Sequence, residues 1–297
     1  MWPLSESNVA SYFKSLIQKP AFLFIIPYFL VLLLLIAYPL YTNFYQSFQT
    51  ESGLSLENYK NLFKNPLFFK ILGNTGIWVA ASVGLQFVIG LGLALLLNQP
   101  LKGRAIFRGI ILVLPWATPD IVAAVAWKWM YNDMYGVFND ILVRLGLINT
   151  YLPWLGQPNL AKLAVIIANV WKGFPISAML YLAALQTVPK DLYEAGSIDG
   201  VSTWQKFRFI TLPLISPFIL TTVMLTVMWT INYFPLIFTM TGGGPANATD
   251  TLVTFAYRKA FRFMDFSGSA ALSTFTFLVI LVFAVVYTRY LLREEEK

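Results

Sequence analysis

Six stretches of this chain are apolar for longer than a soluble core helix needs, at about 21–45, 73–98, 104–131, 160–188, 212–240 and 267–291. A helix crosses a bilayer with roughly 20 apolar residues. Inside hydrocarbon every backbone N–H and C=O must be satisfied within the protein. Runs of this length and number predict an all-α, polytopic bundle of about six transmembrane spans. Composition agrees: the chain is 58% hydrophobic and only 12% charged, where a soluble domain is about a quarter charged. The loops between the runs, about 27, 5, 28, 23 and 26 residues long, are too short to form separate domains. The first run is too long for a signal core and lacks a small-residue cleavage site after it, so it reads as a retained span. The organisation is one membrane domain at 21–292, after a segment 1–20 and before a charged tail 293–297.

Several chemistries are closed off. The chain has no cysteine and no histidine, so disulfides, thiol catalysis and His or Cys metal sites are excluded. The net charge is +7, yet the basic residues are scattered in loops and beside span ends. They are not a nucleic-acid footprint. They do orient the chain. With the N-terminus inside, the inner side holds eleven: Lys14, Lys19, Lys102, Arg104, Arg108, Lys190, Lys206, Arg208, Arg289, Arg293 and Lys297. The outer loops hold seven: Lys60, Lys64, Lys70, Arg144, Arg258, Lys259 and Arg262. Both termini are thus expected in the cytoplasm, with the loop at 189–211.

Three spans are interrupted. The third contains LPWATPD, with Pro115, Pro119 and Asp120; the fourth contains ANVWKGFP, with Asn169, Lys172 and Pro175; the fifth contains WTINYFP, with Asn232 and Pro235. Proline removes a backbone donor and frees a carbonyl, and polar residues at such depth mark a pathway or a helix contact. Asn169, Lys172 and Gly173 share one helical face at spacings of three and four, with Trp171 beside them and Asn232 and Tyr233 at similar depth. Planar hydrogen-bonding groups beside aromatic faces suit a sugar. The same residues also suit helix–helix adhesion. Asp120 is the natural counter-ion for Lys172, and their pairing would hold the kinked spans together. The other role for Lys172 is binding an anionic solute such as a glycerol phosphate.

Residues 194–213, EAGSIDGVSTWQKFRFITLP, are a polar bend between two spans. KDLYEAGSI at 190–198 spells a short helix with Asp191 and Glu194 in its first turns. Gly200 can take positive φ and end it. Ser202 and Gln205 fit a capping box that opens a second short helix presenting Trp204, Phe207 and Phe209, and Thr211 precedes Pro213 as a cap for the fifth span. Such a bend is either an interfacial elbow on lipid headgroups or a knob for a soluble partner.

The segment resembles the cytoplasmic loop signature of binding-protein-dependent ABC importer permeases: Glu-Ala-Ala, three residues, Gly, nine residues, Ile, one residue, Leu-Pro. Glu194, Ala195, Gly200, Ile210, Leu212 and Pro213 meet it at the right spacings, and Asp199, Phe207 and Pro217 fit the carbohydrate branch. Gly196 departs, standing where a second alanine is usual, and Val201 stands where a small residue is common. IIPYFLVLLLLIAYPL, LKGRAIFRGIILVLPW, VWKGFP and TMTGGGPANATDTL extend the resemblance to maltose-type permeases over about 20–292.

This resemblance implies an ABC importer permease fold and one of two related membrane subunits in a bacterial or archaeal cell inner membrane. It implies an extracytoplasmic solute-binding protein that delivers a sugar, and two ATPase subunits that bind ATP and Mg and grip the bend. Glu194, Ala195, Gly196, Asp199, Gly200, Trp204 and Phe207 would then form the ATPase-coupling contact, with Glu194 facing basic residues. The chain lacks GxxxxGK[ST], so it is expected to be a transport subunit without a cofactor of its own. TGGGP reads as a flexible turn at the mouth or as a plain connecting loop. The rival functions are carriage of a sugar-like solute such as a glycosylglycerol, and ion-driven secondary transport.

Overall fold

The computed structural model describes residues 20–100, 103, 106 and 109–295. The N-terminal segment 1–19, the basic residues Lys102, Arg104 and Arg108, and residues 296–297 lie outside the described residues. The fold is helical throughout, apart from one two-stranded hairpin, β1 (Gln49–Thr50) with β2 (Gly53–Leu54), pairing Gln49 with Leu54 and Thr50 with Gly53. Among the described residues five helices are long and apolar enough to cross a membrane, or six if a pair of helices bent by 105° counts as one span.

The first span runs through α1 (Pro20–Leu32), a π turn (Leu33–Ala37) and α2 (Tyr38–Ser47). After the hairpin and α3 (Glu57–Lys64) comes the second span, α4 (Pro66–Asn98). It starts seven residues before the apolar run at 73, because Asn65 caps it by accepting from Leu67 N–H and Pro66 sits at its first turn. The third span is a π turn (Gly109–Val113) with α5 (Leu114–Ala117), then α6 (Asp120–Met130) at the sharp bend. After α7 (Val137–Arg144), the fourth span is α8 (Pro158–Thr187). Then follow α9 (Lys190–Ile198), α10 (Thr203–Lys206), a π turn (Phe207–Thr211) and α11 (Leu212–Ile231). The chain closes with α12 (Pro235–Thr241), α13 (Leu252–Phe261) and α14 (Phe266–Glu295).

Three expectations are corrected. The third run is two helices meeting at 105°, not one kinked helix. The fifth span starts at Thr203, not at 212, and ends at Ile231, with Pro235 opening a separate short helix. The second helix of the bend is therefore the first turn of the fifth span. Thr211 makes no cap: its backbone is helical and its hydroxyl meets Tyr193 Oη at 2.8 Å.

The three π turns share a cause. Pro39, Pro115 and Pro213 cannot donate to the carbonyls four residues back, Leu35, Ile111 and Phe209. Each of those lies at the centre of a π turn. The helix widens by one residue there, so that Leu33 C=O accepts from Tyr38 and Phe207 C=O from Leu212.

The fourth span is the hub and the most deeply buried, packing along the second, while the apolar window of the first has no buried residue. One cluster joins Trp78, Trp127, Tyr131, Val165, Leu236 and Ile237. A second joins Leu97, Leu112, Tyr181, Leu185 and Ile215. Small residues at the second–fourth contact, Ala94, Ala178 and Ala184, are almost fully buried and let the backbones close up.

Candidate functional site

The site begins at the break in the third span. Pro119 has no N–H for the Pro115 carbonyl and forces Thr118 into extended backbone, with ψ 125°. Helix α5 therefore stops with carbonyls exposed at membrane depth, where each needs a partner. Lys172, from the middle of the fourth span, supplies it. Its Nζ donates to the carbonyl oxygens of Pro115 at 3.2 Å, Trp116 at 2.9 Å and Thr118, and lies 3.5 Å from Asp120 Oδ1. Asp120 opens α6, where a carboxylate suits the helix dipole. The expected Asp120–Lys172 pair is present, and backbone carbonyls share the ammonium with it.

The fifth span reaches the same point. It ends at Ile231, and Pro235 leaves that carbonyl without its helical donor. The Trp78 indole of the second span donates to Thr230 C=O at 3.0 Å, and Asn232 Nδ2 bonds back to Met228 C=O at 2.9 Å. Tyr233 Oη donates to Asp120 Oδ1 at 2.7 Å, tying the two breaks together.

Between the breaks and the fourth span lies a cavity of about 560 Å³, lined by Asp120, Asn169, Lys172, Gly173, Asn232 and Tyr233 together with Gln86, Trp116, Trp229, two threonines and aliphatic residues. Sites for small molecules run to roughly 300–1,000 Å³. Five of the six residues expected on the solute pathway are brought together here. Trp171 is not: it packs between the two main clusters, with its ring centroid 5.8 Å from that of Trp127. Gln86 was not legible in the sequence, being one amide in an apolar run. It is buried and donates to Asn169 C=O at 3.2 Å. A Cβ at Gly173 would fall 2.4 Å from the Gln86 amide nitrogen, so glycine is what leaves room for that amide there. Asn169 Nδ2 is buried and has no hydrogen-bond partner. Among the described residues no group of three or more acidic side chains could hold a metal.

The loop expected to be a flexible turn is packed. Thr249 Oγ1 donates to Gly244 C=O at 2.7 Å, Asn74 donates to Asn247 C=O at 2.9 Å, and Lys70 donates to Ala246 C=O at 2.8 Å. Asp250 is fully buried against Arg258, which also donates to Asn247 Oδ1 at 2.8 Å. Burial pushes the Asp250 carboxyl up to about 6, against the pull of Arg258 and Thr254. Its folded value thus lies above its unfolded one of about 3.9. The folded state binds the extra proton between the two, so this contribution to stability is full below about pH 4 and is lost as pH rises through about 6. Thermal melts of the purified protein from pH 4 to 7 should show that slope, and Asp250→Asn should flatten it.

The bend forms as its caps dictate. α9 ends at Ile198 and Gly200 takes φ +74°. The Ser202–Gln205 capping box is present, with Ser202 N–H donating to Gln205 Oε1 at 2.9 Å. Glu194, Ala195, Asp199 and Trp204 are exposed, Phe207 is half-buried with its ring centroid 5.5 Å from that of Trp204, and Ile198 and Phe209 are also exposed. Gly196 is the buried member. A Cβ there would lie 3.4 Å from Ile210 Cδ1 and 3.6 Å from Lys206 Cε, ordinary contact distances. Gly196→Ala should therefore fit and stabilise the protein by about 0.5–1 kcal/mol. Chemical denaturation of the purified protein measures it.

The model for the binding-protein-dependent transport system inner membrane component family matches residues 86–294. The chain belongs to that family. Among its relatives, the trehalose/maltose transport system permease protein MalF of Thermococcus litoralis is 36% identical over 96% of this chain and 97% of its own. The sulfoquinovosyl glycerol transport system permease protein SmoG of Agrobacterium fabrum is 34% identical over 91% and 89%. The fold matches a bacterial ABC transporter involved in import of the acidic polysaccharide alginate, with TM-score 0.81 and 22% identity over 95% of this chain and 99% of that one. This is an ABC importer permease, a transport subunit of the membrane. The matched region takes in the bend and every cavity-lining residue.

Proposed function

We propose that this permease forms the translocation path for a sugar, or a sugar-like solute such as a glycosylglycerol, in an ATP-driven importer. The cavity carries the reading: broken helices, amide and carboxylate groups and two half-exposed indoles converge on a space of about 560 Å³. In this reading a second, related permease subunit completes the path, and an extracytoplasmic solute-binding protein hands the solute to it. Two ATPase subunits hold ATP and Mg and dock on the exposed side chains of 189–211, led by Glu194 and Trp204. The permease domain spans 21–292, and both termini face the cytoplasm.

The relatives named for trehalose/maltose and sulfoquinovosyl glycerol transport support a carbohydrate over other solutes. The test is ATP-dependent uptake by the complete transporter in proteoliposomes. Asn232→Leu, which removes an exposed amide from the cavity wall while keeping the volume, is expected to lower uptake about tenfold, the loss of one hydrogen bond to a hydroxyl. Unchanged uptake would remove the cavity from the pathway. Uptake by this chain alone that follows membrane potential would favour secondary transport.

A further inference from the structure

We propose that the cavity accepts an uncharged, hydroxyl-rich glycan or glycoside and rejects carboxylated, sulfonated and phosphorylated ones, with Asp120 setting the selectivity; this rests on reading the cavity as the solute site. Among the described residues one lysine, Lys172, lines the cavity wall. An ammonium has three N–H donors, and Lys172 faces three backbone carbonyls with them, with Asp120 Oδ1 also at 3.5 Å. Its side chain is only 13% exposed. No donor is left for an incoming anion, and the ammonium is the less exposed member of the pair.

Asp120 is the more open partner, at 38%. Its Oδ1 takes the Tyr233 hydroxyl, while Oδ2 accepts no hydrogen bond from the described residues. A free carboxylate oxygen accepts a sugar hydroxyl strongly and repels a second anion. The N-terminus of α6 offers no refuge for an anion, because Asp120 itself occupies its first turn. The exposed Asn232 adds a neutral amide to the wall, which a sugar hydroxyl can meet. Trp116 and Trp229 expose about half their surface, 52% and 53%, and give flat apolar faces for the C–H side of a pyranose. Among the described residues no arginine lines the cavity.

The complete transporter is reconstituted in nanodiscs without its solute-binding protein, so that the selectivity read is that of the membrane path. Tryptophan fluorescence is followed on titration with maltose, trehalose and lactose, and with sulfoquinovosyl glycerol and a glucuronic-acid disaccharide. At least one neutral sugar should change the signal, with the anionic sugars bound at least about tenfold more weakly, as expected for a like charge a few ångströms away. Asp120→Asn, which keeps the acceptor for Tyr233, should recover that factor for the anionic sugars. Anionic sugars binding as tightly as neutral ones, or anionic affinity unmoved by Asp120→Asn, would overturn the selectivity while leaving the cavity as the solute site. A flat signal with every sugar would overturn the cavity reading itself, and the selectivity with it.

Discussion

Lys172→Met should lower the stability of the purified permease by about 3–5 kcal/mol, the cost of removing one partner from a buried ionic contact, and should abolish transport. The size follows from what the ammonium touches. Its loss strands the carbonyls of Pro115, Trp116 and Thr118. No N–H from Pro119 can replace the bond to Pro115, and each buried orphan costs about 1–3 kcal/mol before relaxation. Asp120→Asn should be much milder, at about 1 kcal/mol, because Lys172 keeps its carbonyls and Tyr233 keeps an acceptor. Adding Asp120→Asn to Lys172→Met should restore little. Denaturation of the four proteins forms a double-mutant cycle. If the two single variants cost the same and the double costs no more than either, the ion pair holds the break and the carbonyl clamp does not.

Glu194→Lys should reduce ATP-dependent uptake more than about 100-fold while leaving the permease folded. Glu194 is exposed on α9, and no described residue hydrogen-bonds its side chain, so the isolated subunit loses nothing by the change. Against a basic ATPase surface an attraction becomes a repulsion. At an effective dielectric near 20, two unit charges 4 Å apart interact by about 4 kcal/mol. Uptake and ATPase activity of the reconstituted complex, set against the melting temperature of the subunit, separate the two effects. Gly200→Pro should act alike by another route, since proline cannot take φ +74°. Normal uptake in both variants would mean that the bend rests on lipid.

The legible features are those set by a few neighbouring residues. Span count and helical class follow from runs of apolar residues, because hydrocarbon forbids unsatisfied backbone. The capping box at Ser202–Gln205 and the turn at Gly200 are likewise local, and both stand where the spacing puts them. Prolines marked the interruptions of the third and fifth spans for the same reason, but the fourth span, expected to be interrupted at Pro175, runs through it as one helix. Span ends were less secure. Pro213 has the signature of a helix start, yet a π turn absorbs its missing donor and the fifth span begins at Thr203.

What decided the site lies in three dimensions. A broken helix can turn about its axis at each break, so hydropathy cannot say which face looks inward. That is why Trp116 and Trp229, each beside a break, line the cavity without having stood out in the sequence, while Trp171, on the continuous fourth span, packs away from it. Gln86 joined the site because Gly173 stands opposite it on another helix. The loop 242–251 gained its rigidity from Lys70, Asn74 and Arg258, residues distant along the chain or one element on. Lys172 was visible as a costly charge, but its partners were not, since backbone carbonyls carry no letter in a sequence. The sequence by itself determined a helical membrane subunit of about six spans with a capped polar bend, because apolar length, caps and prolines act locally. Only the tertiary structure decided which polar groups remain free, because hydrogen bonds across the two breaks engage Lys172 and leave one oxygen of Asp120 open to the cavity.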